Sequence, residues 1–245
     1  MLPPSLSRAW EAGPDHPELT AAALHVWRAS LDVTSETLAQ LTRLLSPDEQ
    51  ERAARYRVPH ARQQFIVARG VLRTLLARYL DALPETFAFQ YSPYGKPTLS
   101  APLAFNLAHS HQLALYVFAC GGEVGIDVEY LARQVDMALI APKLLTADES
   151  AALAALPVAQ QYPQFLTYWT RKEAVAKAQG GGLSRVVQPF DVSGDTVILP
   201  GVAGTTEWQV ISFVPAADYV AAVACPPGEW RARWFELPHF PIPIP

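Results

Sequence analysis

Apolar positions recur at helical spacing over residues 61–80 and 163–179, and alternate or cluster in short runs elsewhere, which predicts two long helices among strands. The strands are expected at 86–91, 103–108, 113–120, 196–199, 207–214 and 218–225. Two more alternating stretches, "LHVWRASLD" (24–32) and "VGIDVEYLA" (124–132), begin 100 residues apart. The same offset relates "LLSPDEQ" (44–50) to "LLTADES" (144–150), and Gln64-Phe65 to Gln164-Phe165. Ser46 with Glu49 and Thr146 with Glu149 have the spacing of a capping box, so each copy opens a helix at that point. "LALYVFAC" then ends at Cys120 and "YVAAVAC" at Cys225, a small drift in register.

A period near 100 is too long for a solenoid and suits a duplicated domain. The expectation is an α+β protein with an N-terminal lobe over residues 1–120 and a C-terminal lobe over 121–245. The two similar α/β lobes would be related by a pseudo-twofold axis, with a ligand in the cleft between them. Chance similarity of Ala/Leu-rich helices is the plainer alternative. The closing "PHFPIPIP" reads as an extended tail.

With 245 residues, half of them hydrophobic, the chain can bury a sizeable core. Its formal charge of −4 is unevenly spread: residues 1–120 carry 11 basic and 10 acidic side chains, residues 121–245 carry 8 and 13. The first half is therefore better suited to anions and the second to cations. Cys120 and Cys225 are too few for a disulfide framework and are expected to be buried thiols. The N-terminus has no apolar signal region and no run is long enough to span a membrane, so a soluble cytoplasmic protein is expected.

In "VGIDVEY" the period of two places Val124, Ile126 and Val128 on one face and Gly125, Asp127 and Glu129 on the other. Two carboxylates at i and i+2 can share a hard cation; otherwise they are solvated acids on a strand edge. Gly125 beside them would let a ligand approach closely. In "FLTYWTRKEAVAKAQGGGL" (165–183), Trp169, Glu173 and Lys177 share a helix face with Lys172 beside them, so Glu173 is a candidate third carboxylate; a surface Glu–Lys pair is the alternative. Gly180, Gly181 and Gly182 can end that helix.

Seven arginines and no acid lie between Arg52 and Arg78. Arg52, Arg55 and Arg78 read as a solvated face, while Arg69 and Arg73, four apart, could clamp a phosphate. Nucleic-acid binding is not expected of an acidic chain with few interleaved aromatics. Only four lysines accompany 15 arginines, and three of them, Lys96, Lys172 and Lys177, fall in stretches marked for other reasons. Lys96 sits in the stiff turn "SPYGKPTL", and "FNLAHSH" places Asn106, His109, Ser110 and His111 at a strand end.

Taken in order, "YGKP", "FNLAHS", "GIDVEY" and "WTRKEAVAKAQGGGL" resemble the surfactin-synthetase-activating (Sfp-like) class of 4′-phosphopantetheinyl transferases. The motifs cover about residues 40–190, and the duplicated layout extends the resemblance over most of the chain. It implies an enzyme that uses coenzyme A and Mg²⁺ to move the 4′-phosphopantetheine arm onto a serine of an apo acyl or peptidyl carrier protein, releasing adenosine 3′,5′-bisphosphate. The family's metal ligands fall on Asp127, Glu129 and Glu173, and its cations around the pyrophosphate on Lys177 and His109 with Lys172 nearby. Lys96 and Pro97 belong to the adenosine end, and Arg69 matches an arginine near the 3′-phosphate. Catalysis is then expected from Glu173, Lys177, His109 and Asp127. One departure is Ala108, where the family commonly has serine. The rival readings are a metal-dependent pyrophosphate hydrolase and a non-catalytic nucleotide-binding module. A monomer is expected, since an internal duplication needs no partner subunit.

Overall fold

The computed structural model describes residues 6–93, 95–182, 189–201 and 204–237; Tyr94 of "YGKP", Leu183 and the tail "PHFPIPIP" lie outside them. Strands β1 (Glu11–Ala12) and β2 (Ala23–Ser30) lead to helices α1 (Ser35–Leu44), α2 (Pro47–Ala54) and α3 (Pro59–Leu80). Strands β3 (Gln90–Tyr91), β4 (Pro97–Thr98), β5 (Ala104–Ser110) and β6 (Leu113–Ala119) follow. The second half repeats the order: β7 (Gly125–Tyr130), α4 (Met137–Leu144), α5 (Ala147–Ala154), α6 (Val158–Ala178), then β8 (Thr196–Gly201), β9 (Gly204–Phe213), β10 (Tyr219–Cys225) and β11 (Arg231–Glu236).

The duplication is written in the sheets. One has the strand order β1-β11-β2-β6-β5 and the other β7-β10-β9-β8, so β2-β6-β5 and β7-β10-β9 are matching antiparallel triplets. Both central strands, β6 and β10, are buried at every residue, which explains why they read as unbroken apolar runs. One face of the first sheet packs Trp27, Phe105, Tyr116 and Phe118 against α3. One face of the second packs Trp208, Val210, Val220 and Ala222 against α6. Between the sheets a third core joins Leu24, Val26, Leu115 and Val117 to Ile126, Val128, Phe213 and Val223. The result is a helix–sheet–sheet–helix stack, an α+β architecture of the expected class.

Several expectations are corrected. Strand β11 returns to the first sheet, parallel to β2, so the sheets do not divide at residues 120 and 121 to the end of the chain. Its Phe235 enters the first core and Trp234 packs on the third, a division of faces that a Pro-rich context hides. Helix α6 begins at Val158, about a turn and a half before Pro163, which lies inside the helix and leaves one intrahelical bond unmade. Only Cys225 is buried; Cys120 follows the end of β6 and is exposed. Among the described residues, no helix is long and apolar enough to cross a membrane.

Candidate active site

Both capping boxes form: Thr146 N donates to Glu149 at 2.9 Å, and Ser46 N to Glu49 at 3.1 Å. In each copy the capping glutamate is almost wholly buried and also holds a cation from the long helix. Glu49 takes Arg73 at 2.7 Å, and Glu149 takes Lys172 at 2.8 Å. Lys172 also donates to the Phe190 carbonyl, and burial lowers its pKa against the pull of Glu149. Lys172 is therefore the counterpart of Arg73 and points away from the carboxylates of β7, which corrects its expected place at the pyrophosphate.

The opposite face of α6 meets β7. Gly125 is there for the helix rather than for a ligand: a Cβ on it would lie 2.0 Å from the Ala174 carbonyl oxygen. That close approach brings Lys177 Nζ to 2.7 Å from Asp127 Oδ1 and 3.1 Å from the Ile126 carbonyl. Asp127 is 7% exposed, and burial pushes its pKa up to about 7, opposed by Lys177 and reinforced by the charges of Glu173 and Glu129. Glu173 lies one helical turn before Lys177, and its charge helps to raise the Asp127 pKa. Glu129, also buried, pairs with Arg133 and accepts a bond of 3.1 Å from Ser110 Oγ. The helix ends beyond the site in a Schellman turn: Gly181 N donates to Ala176 O at 2.9 Å, Gly180 N to Lys177 O at 3.0 Å, with Gly180 at φ 85°.

His109 is solvent-accessible, yet surrounding protein lowers its pKa, and the nearby Lys177 ammonium lowers it further. Ala108 packs into the core between the sheets, so a hydroxyl there would face apolar side chains.

Lys96 is buried and bonds Glu123 and, at 3.1 Å, the Val124 carbonyl. It ties its turn to the start of β7, while Pro97 is buried in β4 opposite Tyr91. Ser92 Oγ donates to the Gly180 carbonyl at 3.1 Å, so the turn also holds the glycine segment. Arg69 is 6% exposed, held 3.2 Å from Glu49 over the rings of Phe89 and Tyr91. Arg73 is sealed by Glu49 and the carbonyls of Pro84 and Phe87, so no phosphate clamp of Arg69 and Arg73 exists. Arg78 is buried on Asp15. Arg52 and Arg55 are exposed, and with Asp48, Glu51, Tyr56, Tyr91 and Gly95 they line a cavity of about 590 Å³, where Arg55 pairs with Glu51 at 2.6 Å. Their exposure is that of the solvated face expected of them, while Arg78 departs from it.

A hard divalent cation fits the acidic end. Asp127 Oδ2 is buried without a hydrogen-bond partner among the described residues, facing the field of two further carboxylates. No three metal-ligating side chains among the described residues form a ready-made cage.

Residues 123–224 match a family described as the 4′-phosphopantetheinyl transferase superfamily. The chain is 33% identical over 235 residues to the 4′-phosphopantetheinyl transferase HetI of Nostoc sp., covering 94% of this chain and 99% of that relative. It is 38% identical over 117 residues to the 4′-phosphopantetheinyl transferase AcpT of Salmonella typhimurium, covering 47% and 59%. With the 4′-phosphopantetheinyl transferase psf-1 of Bacillus pumilus it shares 29% identity over 186 residues, covering 73% and 78%.

Proposed function

The chain belongs to the 4′-phosphopantetheinyl transferase superfamily and is a transferase of that kind, and from this premise we propose which class, cofactor and residues it uses. It is of the surfactin-synthetase-activating class, cytoplasmic and monomeric. It takes coenzyme A and Mg²⁺ and modifies a serine of an apo acyl or peptidyl carrier protein. The observation that carries this reading is the partnerless, buried Asp127 Oδ2, placed where Glu129 and Glu173 both act on it.

Asp127, Glu129 and Glu173 would hold Mg²⁺. When bound, the ion supplies charge neutralisation at the pyrophosphate. Lys177 has two of its N–H bonds fixed by Asp127 and the Ile126 carbonyl, which aims the third at a ligand oxygen. Neutral His109 offers an N–H to the same phosphates at the cleft mouth. Glu173 takes the proton from the carrier serine, directly or through one water, as its oxygen attacks the β-phosphorus and the bond to the bisphosphate breaks. Arg52 and Arg55 bind the 3′-phosphate end, with Tyr91 and the Lys96–Pro97 turn forming the adenosine wall. The N-terminal lobe thus holds the nucleotide and the C-terminal lobe the metal.

Asp127→Ala tests this: intact mass of an apo carrier after incubation with enzyme, coenzyme A and Mg²⁺ should show no added arm, while unfolding stays cooperative. Transfer by Asp127→Ala at the wild-type rate in EDTA would reject the metal site. Release of bisphosphate by the wild type without any carrier would favour the hydrolase instead.

A further inference from the structure

We propose that Ser110 and Asn106 are positioning residues that set β7 across the seam between the sheets, and that Ser110 also fixes the Glu129 carboxylate for its metal. This rests on the metal reading above. Strand β7 is the edge of its sheet, and β5 is the edge of the other. In an antiparallel pair, alternate residues turn their backbone groups toward the partner or away from it. Two backbone N–H groups of β7, those of Ile126 and Tyr130, reach across the seam. Asn106 Oδ1 accepts the first at 3.0 Å and Ser110 Oγ the second at 3.1 Å. The acceptors are four residues apart on β5 and the donors four apart on β7, so side chains of one strand match the backbone of the other in register. Both acceptors are buried, and Ala108 between them packs into the core.

Ser110 has a second role. Its oxygen accepts from Tyr130 N–H while its O–H donates to Glu129 Oε2 at 3.1 Å, so one hydroxyl links the strand position to the carboxylate rotamer. With Oε2 held by Ser110, Glu129 turns Oε1 toward Arg133 at the solvent side. A partner that orients a metal-binding carboxylate typically changes metal affinity by about 10- to 100-fold.

The test is Mn²⁺ binding to the intact protein without coenzyme A, followed by calorimetry or electron paramagnetic resonance, beside thermal unfolding of each variant. Ser110→Ala should weaken Mn²⁺ binding about tenfold or more, and Ser110→Thr should stay near wild type. Ser110→Val, which has the shape of threonine without the hydroxyl, should behave like alanine, and the Thr/Val pair decides the matter if Ser110→Ala does not fold. Asn106→Leu should weaken binding less, since it touches no carboxylate. A purely structural serine would lower the unfolding temperature and leave Mn²⁺ affinity unchanged, and that result overturns the proposal. Wild-type protein that binds no Mn²⁺ would overturn the metal reading and this inference together, whereas equal binding by wild type and Ser110→Val overturns this inference alone.

Discussion

Lys172 Nζ lies 2.8 Å from the carboxylate of Glu149, and both side chains are closed off from solvent. The pair repeats Arg73 on Glu49, in the same place on the other long helix. Removing one member of such a pair leaves an uncompensated buried charge, which costs about 3–5 kcal/mol. Lys172→Ala should therefore lower stability by that order in denaturant unfolding. Its kcat/KM, measured where the variant is folded, should stay near wild type. A large loss of kcat/KM at unchanged stability would return Lys172 to the reaction.

Gly125 sets how closely α6 approaches β7. In Gly125→Ala the new methyl would meet the Ala174 carbonyl oxygen at 2.0 Å and the Ala178 nitrogen at 2.5 Å, both backbone atoms with no rotamer to yield. The helix must move out, taking Glu173 and Lys177 away from Asp127. Overpacking of this kind costs about 1–3 kcal/mol. Transfer should fall far more than the stability loss accounts for, by about 10²-fold in kcat. Normal turnover in a destabilised Gly125→Ala protein would contradict this.

Much of this arrangement could be read before any coordinates. The repeat of "LLSPDEQ" as "LLTADES" anticipated the paired α2 and α5 caps, and the alternation in "VGIDVEY" put Asp127 and Glu129 on one side. Periodicity assigns residues to faces but does not say which face of α6 meets β7. Lys172 reads as a neighbour of Lys177 near the pyrophosphate for that reason, but of the two only Lys177 reaches Asp127. The return of β11 to the first sheet is a long-range pairing with no local signal beyond a six-residue alternation. The burial of Arg69, Arg73 and Arg78 was hidden because their partners are distant in sequence or are backbone carbonyls.

Arg52 lines the open cavity while Arg69 is held behind it over Tyr91. Arg52→Ala should raise KM for coenzyme A about tenfold, the worth of one charged hydrogen bond, with kcat nearly unchanged. With 3′-dephospho-coenzyme A the variant and wild type should be alike. Equal sensitivity to both substrates would place Arg52 away from the 3′-phosphate.

His25 provides a pH dependence independent of catalysis. Trp27 Nε1 donates to Tyr79 Oη at 2.7 Å, and the same phenol hydrogen-bonds His25 Nδ1 at 2.9 Å. Burial, with a smaller push from Arg233, lowers the His25 pKa to about 4 from the usual 6.5. Between these values the unfolded chain binds more protons than the native one, so stability rises with pH across this window. Acidification from pH 6.5 to 4 should remove up to about 3 kcal/mol through this residue. Unfolding of His25→Phe, which cannot titrate, should show a shallower slope over the same range, and an identical slope would refute the assignment.

Lys177 pairs with Asp127 in the fold, and the proposed function also gives it a part in the transfer. Its ammonium is the one cation that hydrogen-bonds Asp127 among the described residues, and it opposes the rise in that group's pKa. Lys177→Ala removes this support and, on the proposed function, a donor to the pyrophosphate; loss of one such donor typically costs about 10²–10³ in kcat. Turnover should fall by that order at saturating coenzyme A. Lys177→Arg should not rescue it well, because a planar fork cannot reach both Asp127 Oδ1 and the Ile126 carbonyl from one nitrogen and still face a ligand. Single-turnover transfer to a carrier, measured for both variants, separates the effect on chemistry from product release. A rate equal to wild type for Lys177→Ala would mean that the lysine only pairs with Asp127 and has no part in the transfer.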